Sequence, residues 1–503
     1  MHNIWQNILQ TAVAGSDRRP VAEADRLALS LPPAADAAQT ALQALAAVKL
    51  LHQAARPLAA GPVVLPEPCP PDSRPLVPAG VISLLPVLLA DDGFPEALPE
   101  FFEYLERRGW RLPPEGVPQL LDWAARKRRL PEALRNSLGA PGQWLAVQHP
   151  DWQALYPQEK PDWETGTFPE RLQLLRHLRQ TQPRTGLAWL EKTWAQERAE
   201  HRLQFLQILR TGLARADEAL LELARADRSR QVRFWAWRLL LLLPDSRLRQ
   251  TLQNWLETLP GAGAKPGRLL AGLEKQLPAE GDFSKMQLQA LAAEKNAGVL
   301  SVLLEILPLE DLAQNTGMAP AALLAAMLNE SNLDENQCTG LLENIAWRAD
   351  PNWLTATAHF FTQNPAHPLW STAALAAVLN ALPLTHWLTC TTALAAQPRL
   401  LEAEQSALVR ALLVSEFRWP DALLQALAYY PLRTDQPRHW KPPAHFKALL
   451  QRAGYRCAIP AGLALKIDAP DCPFAWYGEL VQFKKVLEFR QRLTLAFSEE
   501  YGK

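Results

Sequence analysis

The sequence predicts an all-α protein, built as an α-solenoid of stacked antiparallel helix pairs. Residue usage is the first ground: Leu, Ala, Gln, Glu and Arg predominate and β-branched residues are sparse, a mix that favours helices over strands. Periodicity is the second, because apolar residues recur every three or four positions over most of the chain. The third is length: 503 residues exceed what one compact core holds, so growth by added repeats is a natural solution.

Residues 1–55 form N-terminal helices. Ile4, Ile8 and Val13 share helical spacing, and Gly15-Ser16-Asp17 then supplies a stop followed by capping residues. A second helix is expected over 36–53, with Ala41, Leu42, Leu45, Val48 and Leu51 on one face. Residues 56–80 carry Pro57, Pro62, Pro66, Pro68, Pro70, Pro71, Pro75 and Pro78, a density no helix survives, and read as a proline-rich linker or extended strap.

Residues 81–165 read as helical hairpins, over 95–108, 113–128 and 131–138, each opened by a proline at the first turn, where its missing N–H costs nothing. An irregular stretch rich in Trp and Pro follows, from Gly139 through Trp144, Pro150, Trp152 and Pro157 to Trp163. Residues 166–300 repeat most clearly, through Phe168, Leu172, Leu175 and Leu178, then Leu203, Leu206 and Leu209, then Val232, Trp235, Ala236 and Leu239. Residues 301–440 continue helical with weaker repeat identity. Residues 441–503 form a C-terminal cap ending in an amphipathic helix over 481–495, with a short β-hairpin or loop expected at 455–467 around Pro460 and Gly462.

Catalytic chemistry finds little support. The ten histidines are scattered singly, the five cysteines are widely spaced without a Cys-x-x-Cys pair, and no metal or cofactor motif is present. The glycine-rich 261–267 segment follows a helix and its lysine is not followed by Ser or Thr, so it reads as a loop between helices. The first residues lack the pattern of a signal peptide, and the apolar stretches at 81–90 and 239–243 are too short to span a bilayer, so a cytoplasmic protein is expected. The 18 tryptophans read as core fillers.

Charge separates the remaining functions. With 52 basic and 52 acidic residues the chain is neutral, whereas a protein that grips nucleic acid with its whole surface is normally basic. Two local basic clusters qualify this. One holds Arg107, Arg108, Arg111, Arg126, Lys127, Arg128 and Arg129, interleaved with Trp110 and Trp123; the other runs from Arg225 through Arg228, Arg230, Arg233 and Arg238 to Arg247 and Arg249. Either they track a phosphate backbone, or they are solvated faces balanced by neighbouring carboxylates. The expectation is a non-enzymatic protein-binding scaffold without cofactor or metal. The alternative is a nucleic-acid-binding or base-repair protein whose arginine clusters and tryptophans converge on one concave face.

The segment Asp227-Arg228-Ser229-Arg230-Gln231-Val232-Arg233-Phe234-Trp235-Ala236 resembles the start of the second helix of a HEAT repeat. That resemblance implies that Asp227 caps the helix, that Arg233 bonds toward neighbouring repeats, and that Val232 and Ala236 are repeat positions. On a larger scale, Leu9–Arg18, Leu138–Ala146 with Pro150-Asp151-Trp152, and the 163–248 block are similar to an uncharacterised bacterial family, a domain of unknown function about as long as this chain. The resemblance implies HEAT-like helices, no assigned active site, and genes beside a MoxR-type AAA ATPase and a von Willebrand A-domain protein, hence a part in that kind of assembly.

Overall fold

A computed structural model describes residues 2–32, 36–54, 66–90, 93–128, 130–156, 163–261, 266–295, 297–330, 333–428, 443–465 and 474–498. Every regular element among them is helical, and the one strand-like feature is an isolated parallel bridge between Leu76 and Arg111.

Residues Met1–Pro68 form one compact unit. Its helices are α1 (His2–Ala14), α2 (Glu23–Ala28) and α3 (Ala37–Ala54), around a small core of Ile8, Val21, Ala41, Ala44 and Val48. Gly15, at φ 88°, ends α1 in the left-handed region that its missing side chain permits. The buried seam of α3 differs from the expected face, since Leu42 is 68% exposed and Ala44 takes its place. The next buried position after Ala41 lies three residues on, not one. Residues 56–65 of the expected linker lie outside the described residues.

The second unit, Cys69–Lys503, begins with an extended strap. Without helix or ladder partners of its own, this strap bonds across to another loop: Val77 N–H donates to Arg111 O and Arg111 N–H to Pro75 O, both at 2.9 Å. The strap leads into α4 (Ala79–Ile82), α5 (Leu85–Leu89), α6 (Leu98–Arg108), α7 (Val117–Lys127), α8 (Glu132–Gln148) and α9 (Pro150–Gln153). Prolines open α6 and α7 as expected, and Gly109 at φ 63° closes α6. The expected break after Leu138 is far narrower than the sequence implied. Gly139 alone leaves helical geometry, at φ 56° and ψ −149°, and the chain resumes its helix through Pro141 to Gln148. That single residue absorbs the bend that a proline inside a helix imposes. Only glycine reaches such dihedrals without steric conflict.

A larger core runs from Trp163 to Leu487. It is built by α10 (Phe168–Thr181), α11 (Pro183–Thr193), α12 (Ala199–Leu209), α13 (Glu218–Arg225), α14 (Arg230–Leu242), α15 (Arg247–Glu257) and α16 (Pro266–Lys275). There follow α17 (Lys285–Lys295), α18 (Val299–Ile306), α19 (Leu309–Thr316), α20 (Pro320–Glu330), α21 (Glu335–Arg348), α22 (Pro351–Gln363) and α23 (Ala373–Ala381). The series ends with α24 (Leu384–Ala395), α25 (Pro398–Glu402), α26 (Ala407–Val414), α27 (Asp421–Ala428), α28 (Ala444–Arg456), α29 (Ile459–Leu463) and α30 (Phe474–Ala496). Local chemistry sets the starts: Asp334 accepts from Gln337 N–H at 2.8 Å while Gln337 accepts in return, and Asp350 accepts from Asn352 and Trp353 N–H.

Packing follows an order. α10, α12, α14, α18, α21, α23, α26, α28 and α30 each pack on the next, and α16, α20, α22, α24 and α27 pack in a second succession. The final helix links two cores, because Leu480, Phe483 and Leu487 belong to the larger one while Phe489, Leu493 and Phe497 complete the core of α4–α8.

Where a hairpin or loop is expected, at 455–467, the described residues form no strand: helix reaches Arg456, breaks at Cys457 and Ala458, resumes briefly and ends before Ala464. α28 continues through Tyr455, and α29 occupies Ile459–Leu463. Pro460 lies in the first turn of α29, where it is tolerated, and Gly462 lets α30 approach: a Cβ there would lie 2.5 Å from Leu487. Both residues read as turn signals in sequence and serve helix packing in space. Residues 466 and 467, like 262–265 of the glycine-rich loop, lie outside the described residues.

Candidate functional site

Four arginines lie buried among the described residues, and three of them bond closely to carboxylates. Arg179 donates to both oxygens of Asp217 at 2.8 and 2.9 Å and to the carbonyls of Thr211 and Gly212. Arg249 forks onto Asp311 at 2.8 and 3.0 Å and reaches Glu310 at 2.9 Å. Arg490 pairs with Glu100 at 2.8 Å and donates to the carbonyls of Gly454 and Cys457. Such pairing offsets the cost of burying a guanidinium.

Arg238 is the exception. It is 7% exposed, yet its one hydrogen bond is a long 3.4 Å contact to Glu343 O, its nearest carboxylate, Glu305, stands 4.0 Å away, and its Nε has no acceptor. Burial pulls its pKa down to about 10, which still leaves it charged at neutral pH. What it touches is aromatic: its guanidinium lies 4.1 Å from the Trp347 ring centre, with Trp235 at 5.9 Å, and Arg210 stands 4.9 Å from that same Trp347 ring. Trp235 meets Trp347 edge to face at 6.0 Å, and the Trp347 indole N–H, also buried, finds no acceptor.

The helical repeat builds this neighbourhood. Positions 230, 234 and 238 fall one above another on α14, as do 231 and 235, so Arg230, Gln231, Phe234, Trp235 and Arg238 share one flank. α12 lies alongside and contributes Leu203 and Gln207, while α18 contributes Glu305. The result is a groove of about 460 Å³ with an apolar floor, amide walls and a cationic end.

Val232 and Ala236 of α14 are fully buried. The Asp227 carboxylate accepts from Ser229 N–H at 2.8 Å, closing the turn before α14, and also holds Arg202 of α12 at 2.7 Å. Arg233 donates back to the carbonyls of Asp227 and Arg228.

The two basic clusters meet different fates. In the first, Arg108 donates to Phe497 O at 2.7 Å, Trp110 stacks on Phe497, and Arg111 donates to Arg74 O at 2.8 Å, so these side chains clasp the C-terminal helix and the strap. Arg107 pairs with Glu103 on the surface, and half-buried Trp123 packs against the smaller core. Arg126 and Arg128 line a larger cavity of about 770 Å³, but Asp122 and Asp151 share its wall and balance them. Arg129 lies outside the described residues. In the second cluster Arg225 and Arg247 pair with Asp282 and Arg249 with Asp311, which leaves exposed Arg228 and Arg230 beside Arg238. The cavity at Arg126 and Arg128 holds no residue of the second cluster, and the groove at Arg230 and Arg238 holds none of the first.

Residues 7–497 match a family described as of unknown function, DUF5691. The chain belongs to DUF5691. No curated protein and no solved structure matches it. In this DUF5691 chain no group of His, Cys, Asp or Glu among the described residues is arranged to hold a metal ion, and no described helix is long and apolar enough to cross a membrane. Sequence reasoning missed Trp347, which meets Arg238, and Arg210, which meets Trp347. Trp347 lies 112 positions after Trp235 (347 less 235), too far for any local pattern to join them.

Proposed function

We propose that the chain is a non-enzymatic scaffold, a HEAT-like solenoid of stacked antiparallel helix pairs that grips another protein, within an assembly of the MoxR-type ATPase and von Willebrand A-domain kind. The successive packing of α10 to α30 supports the solenoid reading, since in such architectures each repeat leans on its neighbours. The groove beside Arg238 carries the binding reading: it joins part-buried Trp235 and the exposed amides of Gln207 and Gln231 to a cation most of whose bonding capacity the fold leaves unused. The nucleic-acid alternative has less in its favour, because the net charge is zero and Arg108, Trp110 and Arg111 are committed to internal contacts.

Cross-linking mass spectrometry on purified chain mixed with the neighbouring ATPase and von Willebrand A-domain protein tests the proposal. Cross-links to either protein, with a shallow dependence on salt, are expected. Tight duplex binding that persists at physiological salt, with no cross-link to either protein, would reverse the two readings.

A further inference from the structure

The groove on α12 and α14 carries features that go beyond a generic protein-binding surface, and they bear on what kind of segment it receives. Arg238 offers five N–H donors and uses one, weakly, in a buried setting where an unmet donor is costly. The neighbouring Trp347 indole N–H is unmet as well. The unused donors of Arg238, set in a planar fork that matches a carboxylate, point to an acceptor with paired oxygens. Exposed Arg230, two turns up the same flank, adds a second positive charge at the rim. Gln207 and Gln231 both face the groove, and an amide side chain offers one donor group and one acceptor, which is what an extended main chain presents in return. Leu203, Phe234 and Trp235 form the apolar floor beneath them.

Glu305 decides between anions. It lies in the groove wall, 4.0 Å from Arg238, so a singly charged oxygen pair meets less repulsion there than a doubly charged phosphate does. A chain of phosphates would need a longer rail of cations than Arg210, Arg228, Arg230 and Arg238 offer, and Arg225 and Arg233 are engaged with Asp282 and with the Asp227 and Arg228 carbonyls.

We infer that this groove binds an extended acidic segment of a partner protein, with a side-chain carboxylate received by Arg238 and Arg230 and the segment's main chain held by Gln207 and Gln231. The inference rests on the scaffold reading and narrows it to one surface and one partner chemistry.

Fluorescence anisotropy on the full chain tests it, with a fluorescein-labelled decapeptide that alternates glutamate with leucine and serine as the probe. The acidic peptide is expected to bind at least about tenfold more tightly than its glutamine-for-glutamate counterpart, and Arg238→Met to weaken binding by a similar factor. Because a buried substitution can perturb folding, the exposed Arg230→Glu serves as the second variant and is expected to weaken binding as much. Equal binding of the two peptides, or undiminished binding by Arg230→Glu, would overturn the inference. So would a deca-thymidine oligonucleotide that occupies the groove while the peptide does not. Cross-links to the ATPase or the A-domain protein that persist in Arg230→Glu would leave the scaffold standing and remove this groove as its grip.

Discussion

Arg490 closes on Glu100 from 390 positions away, with Nε donating to Oε2 at 2.8 Å and the same guanidinium also donating to the carbonyls of Gly454 and Cys457. The pair ties the last helix to α6, across the joint between the two cores. Removing the carboxylate leaves a buried cation with neutral partners only. Glu100→Ala should therefore cost about 3–5 kcal/mol in urea unfolding, as broken buried pairs do. It should also expose the α30 region to proteases before the rest of the chain.

Arg179 and Arg238 should respond to the same substitution with opposite signs. Arg179→Met strands the buried Asp217 carboxylate and should lower stability by about 3–5 kcal/mol. Arg238→Met strands no bidentate partner and removes an under-compensated charge from an aromatic pocket, so stability should stay level or rise. Differential scanning calorimetry of the two variants decides the matter; a large loss in Arg238→Met would mean that the residue is structural.

Asp227 joins a turn to a neighbouring helix, through Ser229 N–H and Arg202. Asp227→Ala should lower the unfolding midpoint by about 1–3 kcal/mol while leaving partner binding by the folded fraction intact. Lost binding at unchanged stability would place Asp227 in an interface instead.

Alkaline pH should destabilise the fold through its thiols. Burial raises Cys338 and Cys457 from the ordinary 9.0 to about 11. Unfolded chains lose these protons first, so the stability they contribute is complete below about pH 9 and drains away as the pH climbs to about 11. Urea midpoints measured across that range should fall, and less steeply in Cys457→Ala. An equal slope in the variant would show that other groups drive the loss.

Much of the fold was legible because helix propensity and period act locally. Proline at the starts of α6 and α7 was legible for the same reason. Gly462 and Pro460 misled because a glycine needed for close approach and a glycine needed for a turn look alike in sequence. The groove was half legible. Arg230, Trp235 and Arg238 stood in one cluster, but nothing in α14 alone distinguishes Arg238, which turns toward α18 and α21, from Arg233, which folds back on its own turn. Arg108 and Trp110 looked like free surface because their partner, Phe497, lies 389 positions downstream of Arg108.

That late aromatic also sets a schedule for synthesis. Phe94, Phe101 and Trp110 leave the ribosome well before the rings that complete their core, Phe489 on Phe94 and Phe497 on the other two, which follow roughly 390 positions later. At 5–20 residues per second, the 390 positions between Glu100 and Arg490 represent roughly 20–80 s of waiting. A nascent chain meanwhile presents an open aromatic cleft, and a product terminated before residue 489 presents it permanently.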